Sequence, residues 1–364
     1  MMESQEARES QDQGIMRTLV LIVIIIFIAS GLAIVGIQVY TLNGFIFSLT
    51  KSIVTGLALS MLLFLMVSGF YLIFGLCDVI NFAHGAFFML GGFLGFVMYL
   101  GTESVLLDPA LPFIAIFGGN DAVMSAVAFI VSVIGATLVM ALIGGGIEVF
   151  TIRRLYGNPI AQILLTVGFM FIITQFAEVV WGPAQITYII NPGVNSRLDP
   201  FFISGTFIFG DIIIKKYNIF LIFLGFAVAA LMFVGFRKTR IGLQIQAGIE
   251  DSEMVEALGI DIKKLFTIVF MMGAGLAGLS GAVLVPLIGA SSGHGLTYLI
   301  YAFVIVVIGG AHYGRFEGTF FGALVVGLSI QFASYFIPVL KNIIVFIIMA
   351  IILIVKPGGL TGHE

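Results

Sequence analysis

The sequence predicts an all-α polytopic membrane protein of about ten transmembrane helices, some short or broken, arranged as an inverted five-helix repeat. Three observations carry this. Hydrophobic residues make up 60% of the 364 positions against 10% charged, and the mean hydropathy is +1.19, outside the range of soluble chains. Apolar runs long enough to cross a bilayer recur from end to end. Two polar, glycine-rich breaks, Asn81-Phe82-Ala83-His84-Gly85 and Gly309-Gly310-Ala311-His312-Tyr313-Gly314, interrupt that sequence in its two halves. Matched breaks of this kind mark transporters built from repeats, with the pathway near the midplane.

The expected spans are 18–39, 53–76, 84–100, 123–147, 160–181, 218–236, 265–289, 297–310, 317–337 and 341–355. Residues 1–16 form a polar tail whose acids, Glu3, Glu6, Glu9 and Asp12, are unlike a basic signal-peptide start. The run from Thr18 to Ile37 is too long for a signal h-region and reads as a retained span. Residues 17–364 then form one membrane domain: 17–52 the first span and its loop, 53–264 the first repeat, and 265–364 the second-repeat spans and the tail. The short run 297–310 reads as a half-helix or as continuing through the glycine turn. Of the 16 Lys and Arg residues, an N-terminus-inside arrangement puts eleven in the cytoplasm and five outside, so both termini are expected to be cytoplasmic.

Span two and the His84 break pair with the spans beginning at 265 and the His312 break. An odd number of spans between them inverts the second copy. Asn81 and His84, three apart, can face one side of a helix. They either line a pathway or hydrogen-bond neighbouring helices, and the second role is favoured. His312 is read the same way, and His294 as a solvated loop or rim residue. The small residues Gly273, Ala274, Gly275, Ala277, Gly278 and Gly281 suit close helix packing.

Two loops hold the remaining signals. In 236–266, Asp251 or Ser252 can N-cap a short helix that Gly259 would stop. Met254, Val255 and Leu258 give it an apolar edge, and Glu250, Glu253 and Glu256 give it acids. That pattern fits either a partner's groove or a solvated connector. In 151–159, Pro159 can open the next helix, and Arg153 and Arg154 read as a positive-inside anchor. Tyr217, after Lys215 and Lys216, is expected at the membrane interface, as is Trp181 before Gly182 and Pro183.

Several chemistries lack their residues. The lone cysteine, Cys77, excludes an internal disulfide and reads as a packing residue. No Gly-x-x-x-x-Gly-Lys-Ser/Thr loop is present to bind ATP. Histidines without acid partners at ligand spacing do not make a metal site. Glu148 and Glu178 fall near span ends, which leaves Asp78 as the nearest candidate for ion coupling. A filter sequence is missing, and so is a nucleophile–base pair.

The strings Ile80-Asn81-Phe82-Ala83-His84-Gly85, Arg154-Leu155-Tyr156-Gly157-Asn158-Pro159 with Leu165-Thr166-Val167-Gly168, Trp181-Gly182-Pro183, Glu250-Asp251 through Ala257-Leu258-Gly259-Ile260, and Lys356-Pro357-Gly358-Gly359-Leu360-Thr361-Gly362 occur in this order. They resemble the integral-membrane permease subunits of ABC importers for branched-chain amino acids, over roughly residues 53–362. The polar N-terminal tail is longer than that pattern, and Ala311-His312-Tyr313-Gly314-Arg315-Phe316 stands where a Gly-Ser-rich turn is usual. The resemblance implies inverted repeats in the inner membrane and a second, homologous permease subunit. It also implies an external binding protein and cytoplasmic ATPase subunits that carry ATP and magnesium, with no cofactor on this chain. The two breaks themselves make Asn81, His84, Gly85, Gly309, Gly310, His312 and Gly314 the expected pathway positions. By the resemblance, Ala247, Glu250, Asp251, Met254, Ala257 and Gly259 form the ATPase-coupling segment. The cargo is a branched-chain amino acid or another small solute, with urea, amides and aromatic acids as the alternatives carried by relatives. A secondary transporter is the main rival and would need an ion-coupling site; a channel and a membrane enzyme are more distant ones.

Overall fold

A computed structural model describes residues 42–77, 80–106, 121–186, 205–209, 212–310, 316–356 and 358–360. The expected span 18–39 and the residues Asp78, His312, Gly314 and Arg315 lie outside them. The other nine expected spans are all helices: α1 (Leu42–Cys77), α2 (Ala83–Leu106), α3 (Asp121–Phe150), α4 (Pro159–Trp181), α5 (Lys216–Lys238), α8 (Ile262–Ile288), α9 (His294–Gly309), α10 (Phe316–Phe336) and α11 (Ile344–Val355). Seven of them are long and apolar enough to cross a membrane; α9 and α11 are shorter. Two short helices, α6 (Arg240–Glu250) and α7 (Ser252–Ala257), join α5 to α8.

The helix ends follow local chemistry. Asn158 caps α4 through the Ala161 N–H and Pro159 opens it, while Gly182 at φ +84° ends it after Trp181. Trp181 stacks on Phe93, ring centroids 4.9 Å apart. Helix α1 starts earlier than expected because Lys51 is not a loop residue. Its ammonium lies over the Phe47 and Tyr335 rings, at 5.8 and 5.6 Å, which lets a cation remain on an apolar helix.

Helices α1 and α8 form the centre, 83% and 72% of their apolar windows being buried, against 11% for α4. They run antiparallel, since Gly69 meets Gly273 and Ser280 Oγ donates to Leu62 O at 2.9 Å. Helix α2 crosses α8 equally closely: a Cβ on Gly91 would overlap the Gly278 backbone, and one on Gly281 would overlap Phe88 O. Lipid tails are as apolar as these side chains, so such helices associate through close packing rather than through exclusion of water. The small-residue ladder on α8 serves that packing.

Two features depart from expectation. Strands β1 (Thr206–Phe209) and β2 (Ile212–Lys215) pair as a hairpin just before α5. Tyr217 is buried rather than interfacial, its hydroxyl donating to Val283 O at 2.5 Å. The Val283 carbonyl on α8 accounts for that placement, because a phenol needs a partner when buried.

Gly281→Val forces its side chain into the α2 backbone, so the variant is expected to lose the folded bundle. The check is a monodisperse detergent peak and thermal transition, with Gly146→Val, where no atom lies in the way, as the control that keeps both.

Candidate functional site

The break after α1 is re-entrant. Helix α1 continues from Met66 to Cys77, roughly 16 Å of helix, yet His84 at the start of α2 is back beside Met66, its Nε2 donating to Met66 O at 3.0 Å. The start of α2 therefore lies level with the middle of α1 rather than with its end, and Asn81 just before it is buried. Helix α9 starts in the same neighbourhood: Gly295 backs onto Gly85, and a Cβ on Gly85 would overlap Gly295 O. The two N-termini meet inside the protein. Their turns are built alike, with the His84 N–H bonded to Asn81 O and the His294 N–H bonded to Ser291 O, each at 3.1 Å.

This assigns His294 a different place from the one expected of it. It is the first residue of α9, half-buried, with its ring edge-on to Tyr298 at 5.9 Å. Among the described residues, the counterpart of Asn81-x-x-His84-Gly85 is Ser291-x-x-His294-Gly295. The sequence signal was the shared His-Gly pair after a short polar turn, and serine in place of asparagine hid it.

Asn81 and His84 are fully buried. The His84 bond to Met66 ties α2 to α1, as expected of a structural histidine. Asn81 differs: neither its Oδ1 nor its Nδ2 has a partner among the described residues, nor does His84 Nδ1. An open groove of about 250 Å³ runs beside Asn81, lined by apolar side chains that include Phe70, Phe82, Leu299 and Phe303; the buried Asn81 amide atoms do not open onto it.

The second break follows α9. Gly309 packs against Gly318, where a Cβ would press on backbone, and Gly310 takes the left-handed conformation at φ +82°. The C-terminal segment closes over this end. The Leu360 N–H bonds Ile308 O at 2.8 Å, and Lys356 Nζ donates to Leu360 O at 2.9 Å. Helix carbonyls without partners, and the negative end of the dipole, account for that cap.

The segment 239–261 is two helices at a bend. Thr239 caps α6 through the Gly242 N–H at 3.0 Å, and Asp251 caps α7 through the Met254 N–H at 2.9 Å. Glu250 is the last residue of α6 and Ala257 the last of α7; Gly259, at φ +84°, provides the turn after it. Ile245 and Val255 are buried, whereas Ala247, Met254 and Leu258 are exposed. The apolar edge read from sequence is thus divided: one residue anchors α7 and two face outward. Asp261 then caps α8 at the Lys264 N–H, 3.2 Å, and pairs with Lys264 Nζ at 3.2 Å. The backbone N–H of Lys264, and then its side chain, hold the Asp261 carboxyl below its usual range.

One cluster was not read from sequence. Arg153 is more than a positive-inside anchor: it grips the fully buried Glu148 with two bonds, Nε to Oε1 at 3.1 Å and Nη2 to Oε2 at 3.0 Å. Tyr156 OH donates to Glu148 Oε1 at 2.9 Å and Thr267 Oγ1 to Oε2 at 2.7 Å; Arg153 Nη2 also bonds Thr267 Oγ1. Burial, and then the nearby Cys77 and Glu148, push the Tyr156 phenol well above its ordinary value, so it stays a donor. The network joins the end of α3 to the first turns of α8, directly after α7. A glutamate in an apolar run followed by an arginine five residues later was the available signal, but the partner Thr267 is remote in sequence.

The profile of the family described as branched-chain amino acid transport system / permease component matches residues 52–354. The chain belongs to this family. Among curated proteins it is similar to the high-affinity branched-chain amino acid transport system permease protein BraD of Pseudomonas aeruginosa, 25% identical over 87% of this chain and 97% of the relative. The permease protein LivH of Escherichia coli is 21% identical, over 82% and 91%. A probable LivH of Methanocaldococcus jannaschii is 23% identical, over 84% and 90%. No solved structure matches. The chain is a membrane transport permease of an ABC system rather than an enzyme.

Arg153→Ala leaves the buried Glu148 carboxylate without its counter-charge. The expected loss of stability is roughly 2–3 kcal/mol, below the roughly 3–5 kcal/mol of a fully enclosed pair because Arg153 is 30% exposed; an unchanged melting temperature in detergent would refute the assignment. The depressed Asp261 carboxyl contributes stability that is present above its unfolded-state pKa and lost as pH falls through the folded value. The melting-temperature difference between the wild type and Asp261→Asn should therefore shrink from pH 7 towards pH 3.

Proposed function

We infer that this chain forms part of the transmembrane passage of an ATP-driven importer for a branched-chain amino acid or a related small solute. The observation that carries this is the continuity of α7 with α8. A short helix and the turn after it, with outward-facing Met254 and Leu258, lead directly into the central helix against which α2 is packed, and the N-terminus of α9 rests on α2. The relatives' names supply the cargo class.

In this reading both termini and the 239–261 segment are cytoplasmic. ATP-binding subunits, which hold the nucleotide and magnesium, receive Met254 and Leu258 in an apolar groove, with Glu253 and Glu256 at its rim. The Asp251 cap and the Gly259 turn fix the angle of α7. The Glu148–Arg153–Thr267 network makes the start of α8 move together with α3. Nucleotide-driven displacement of α7 then rocks α8 against α1, around the breaks at Asn81–Gly85 and Gly309–Gly314. A second permease subunit completes the passage, and an external binding protein delivers the solute. The halves, 53–264 and 265–364, act as inverted repeats, with α1 and α2 corresponding to α8 and α9.

Replacing Met254 and Leu258 together by aspartate puts charge on the docking face without touching buried residues. ATP-driven leucine uptake in proteoliposomes should fall at least about tenfold, and the ATP-binding subunits should no longer co-purify, while the melting temperature is unchanged. Uptake that persists without any ATP-binding subunit would defeat the reading.

A further inference from the structure

The chain that joins α5 to α7 has almost no slack. Thr239 ends α5, its N–H on Gly235 O, and is also the cap that opens α6 through the Gly242 N–H. Asp251 plays the same double part between α6 and α7. The first joint is packed shut as well, since a Cβ on Gly242 would overlap Gly235 O and the Phe236 Cα. A displacement of α7 is therefore carried back to the last turn of α5 as well as forward into α8.

That last turn grips the start of α10. Arg237 Nη2 pairs with Glu317 Oε1 at 2.9 Å, and its guanidinium lies over the Phe233 ring, 4.1 Å from the centroid. The Phe236 ring meets Phe316 at 5.4 Å, and Phe316 also rests on Phe64 and Tyr71 of α1, at 5.4 and 6.0 Å. Helices α5 and α10 have little close backbone contact, so long side chains make the connection. The first turn of α10 in turn touches the end of α9, where Gly318 backs onto Gly309.

The ion pair is poorly suited to holding the fold together. Its side chains are 60% and 39% exposed, and a pair that open to solvent adds little stability. Its charges nevertheless agree with the helix dipoles, the cation in the last turn of α5 and the anion in the first turn of α10. What the pair fixes is the position of one helix end against another.

We propose that Arg237 and Glu317 are positioning residues for transport, forming a second linkage that makes the start of α10, and with it the Gly309 end of α9, follow the ATP-driven movement of α7. Helix α7 then acts on the bundle at two points. It moves α8 directly, beside the Glu148–Arg153 network, and it moves the second break through α6, the end of α5 and the Arg237–Glu317 pair. The proposal rests on the importer reading and names within it the residues that drive the second break.

The test uses the assembled importer, with its ATP-binding subunits and binding protein, in proteoliposomes, and reads leucine taken up per ATP hydrolysed. Arg237→Gln and Glu317→Gln should each lower that ratio at least about fivefold, the lower end of usual coupling between sites. The melting temperature and co-purification of the ATP-binding subunits should be unchanged in both. The exchanged pair, Arg237→Glu with Glu317→Arg, restores the attraction and should return the ratio to within about twofold of the wild type. A ratio unchanged in both single variants overturns the linkage. A lowered melting temperature in them also overturns it, because the pair is then a structural contact, and so does an exchanged pair that restores nothing. Those three outcomes leave the importer reading standing, since wild-type uptake is still driven by ATP. Wild-type uptake that needs no ATP removes the importer reading and the linkage together.

Discussion

Close backbone contact between helices is the constraint on which this structure depends. At Gly69–Gly273, Gly91–Gly278 and Gly281–Phe88 there is no space for a Cβ. In hydrocarbon there is little apolar transfer energy to gain, so contact of this intimacy, rather than side-chain bulk, holds α1, α2 and α8 together. It also sets the geometry of everything else. With α8 against both α1 and α2, the start of α2 carries Gly85 to the start of α9 at Gly295.

Buried polar groups divide into two kinds around that centre. Glu148, Ser280 and Tyr217 all have their hydrogen bonds made, and each joins helices distant in sequence. They lie where the bundle must be rigid, and Glu148 binds the loop after α3 to the helix that follows α7. Asn81 is the other kind. A satisfied polar group in a membrane protein explains itself by the helices it joins, whereas one without a partner among the described residues does not.

The 239–261 segment, proposed above to meet the ATP-binding subunits, shows how a very short helix is kept in place. Helix α7 has six residues, too few to be stable alone. It persists because Asp251 caps it, Gly259 ends it and Val255 is buried beneath it. With so little of its surface used internally, most of the helix remains outward-facing. The rigid attachment comes from the neighbouring network at Arg153 rather than from α7 itself.

The sequence by itself determined the membrane class, the position of nine helices, the Pro159 start of α4, the Asp251 cap and Gly259 stop of α7, and the family blocks. These are local: hydropathy over about 20 residues and the chemistry of single helix ends decide them. Tertiary structure alone decided that Tyr217 is buried, that Arg153 answers Glu148 and Thr267, and that His294 opens α9 with a turn built like that of His84. It alone decided that the Asn81 amide is buried without a partner among the described residues. Each of these depends on a group brought from another helix, 66 residues away for Tyr217 and 119 for Glu148 and Thr267. Within a chain that is apolar on nearly every face, periodicity does not say which face meets which helix. The glycine contacts do, and their pairing exists only in the folded bundle.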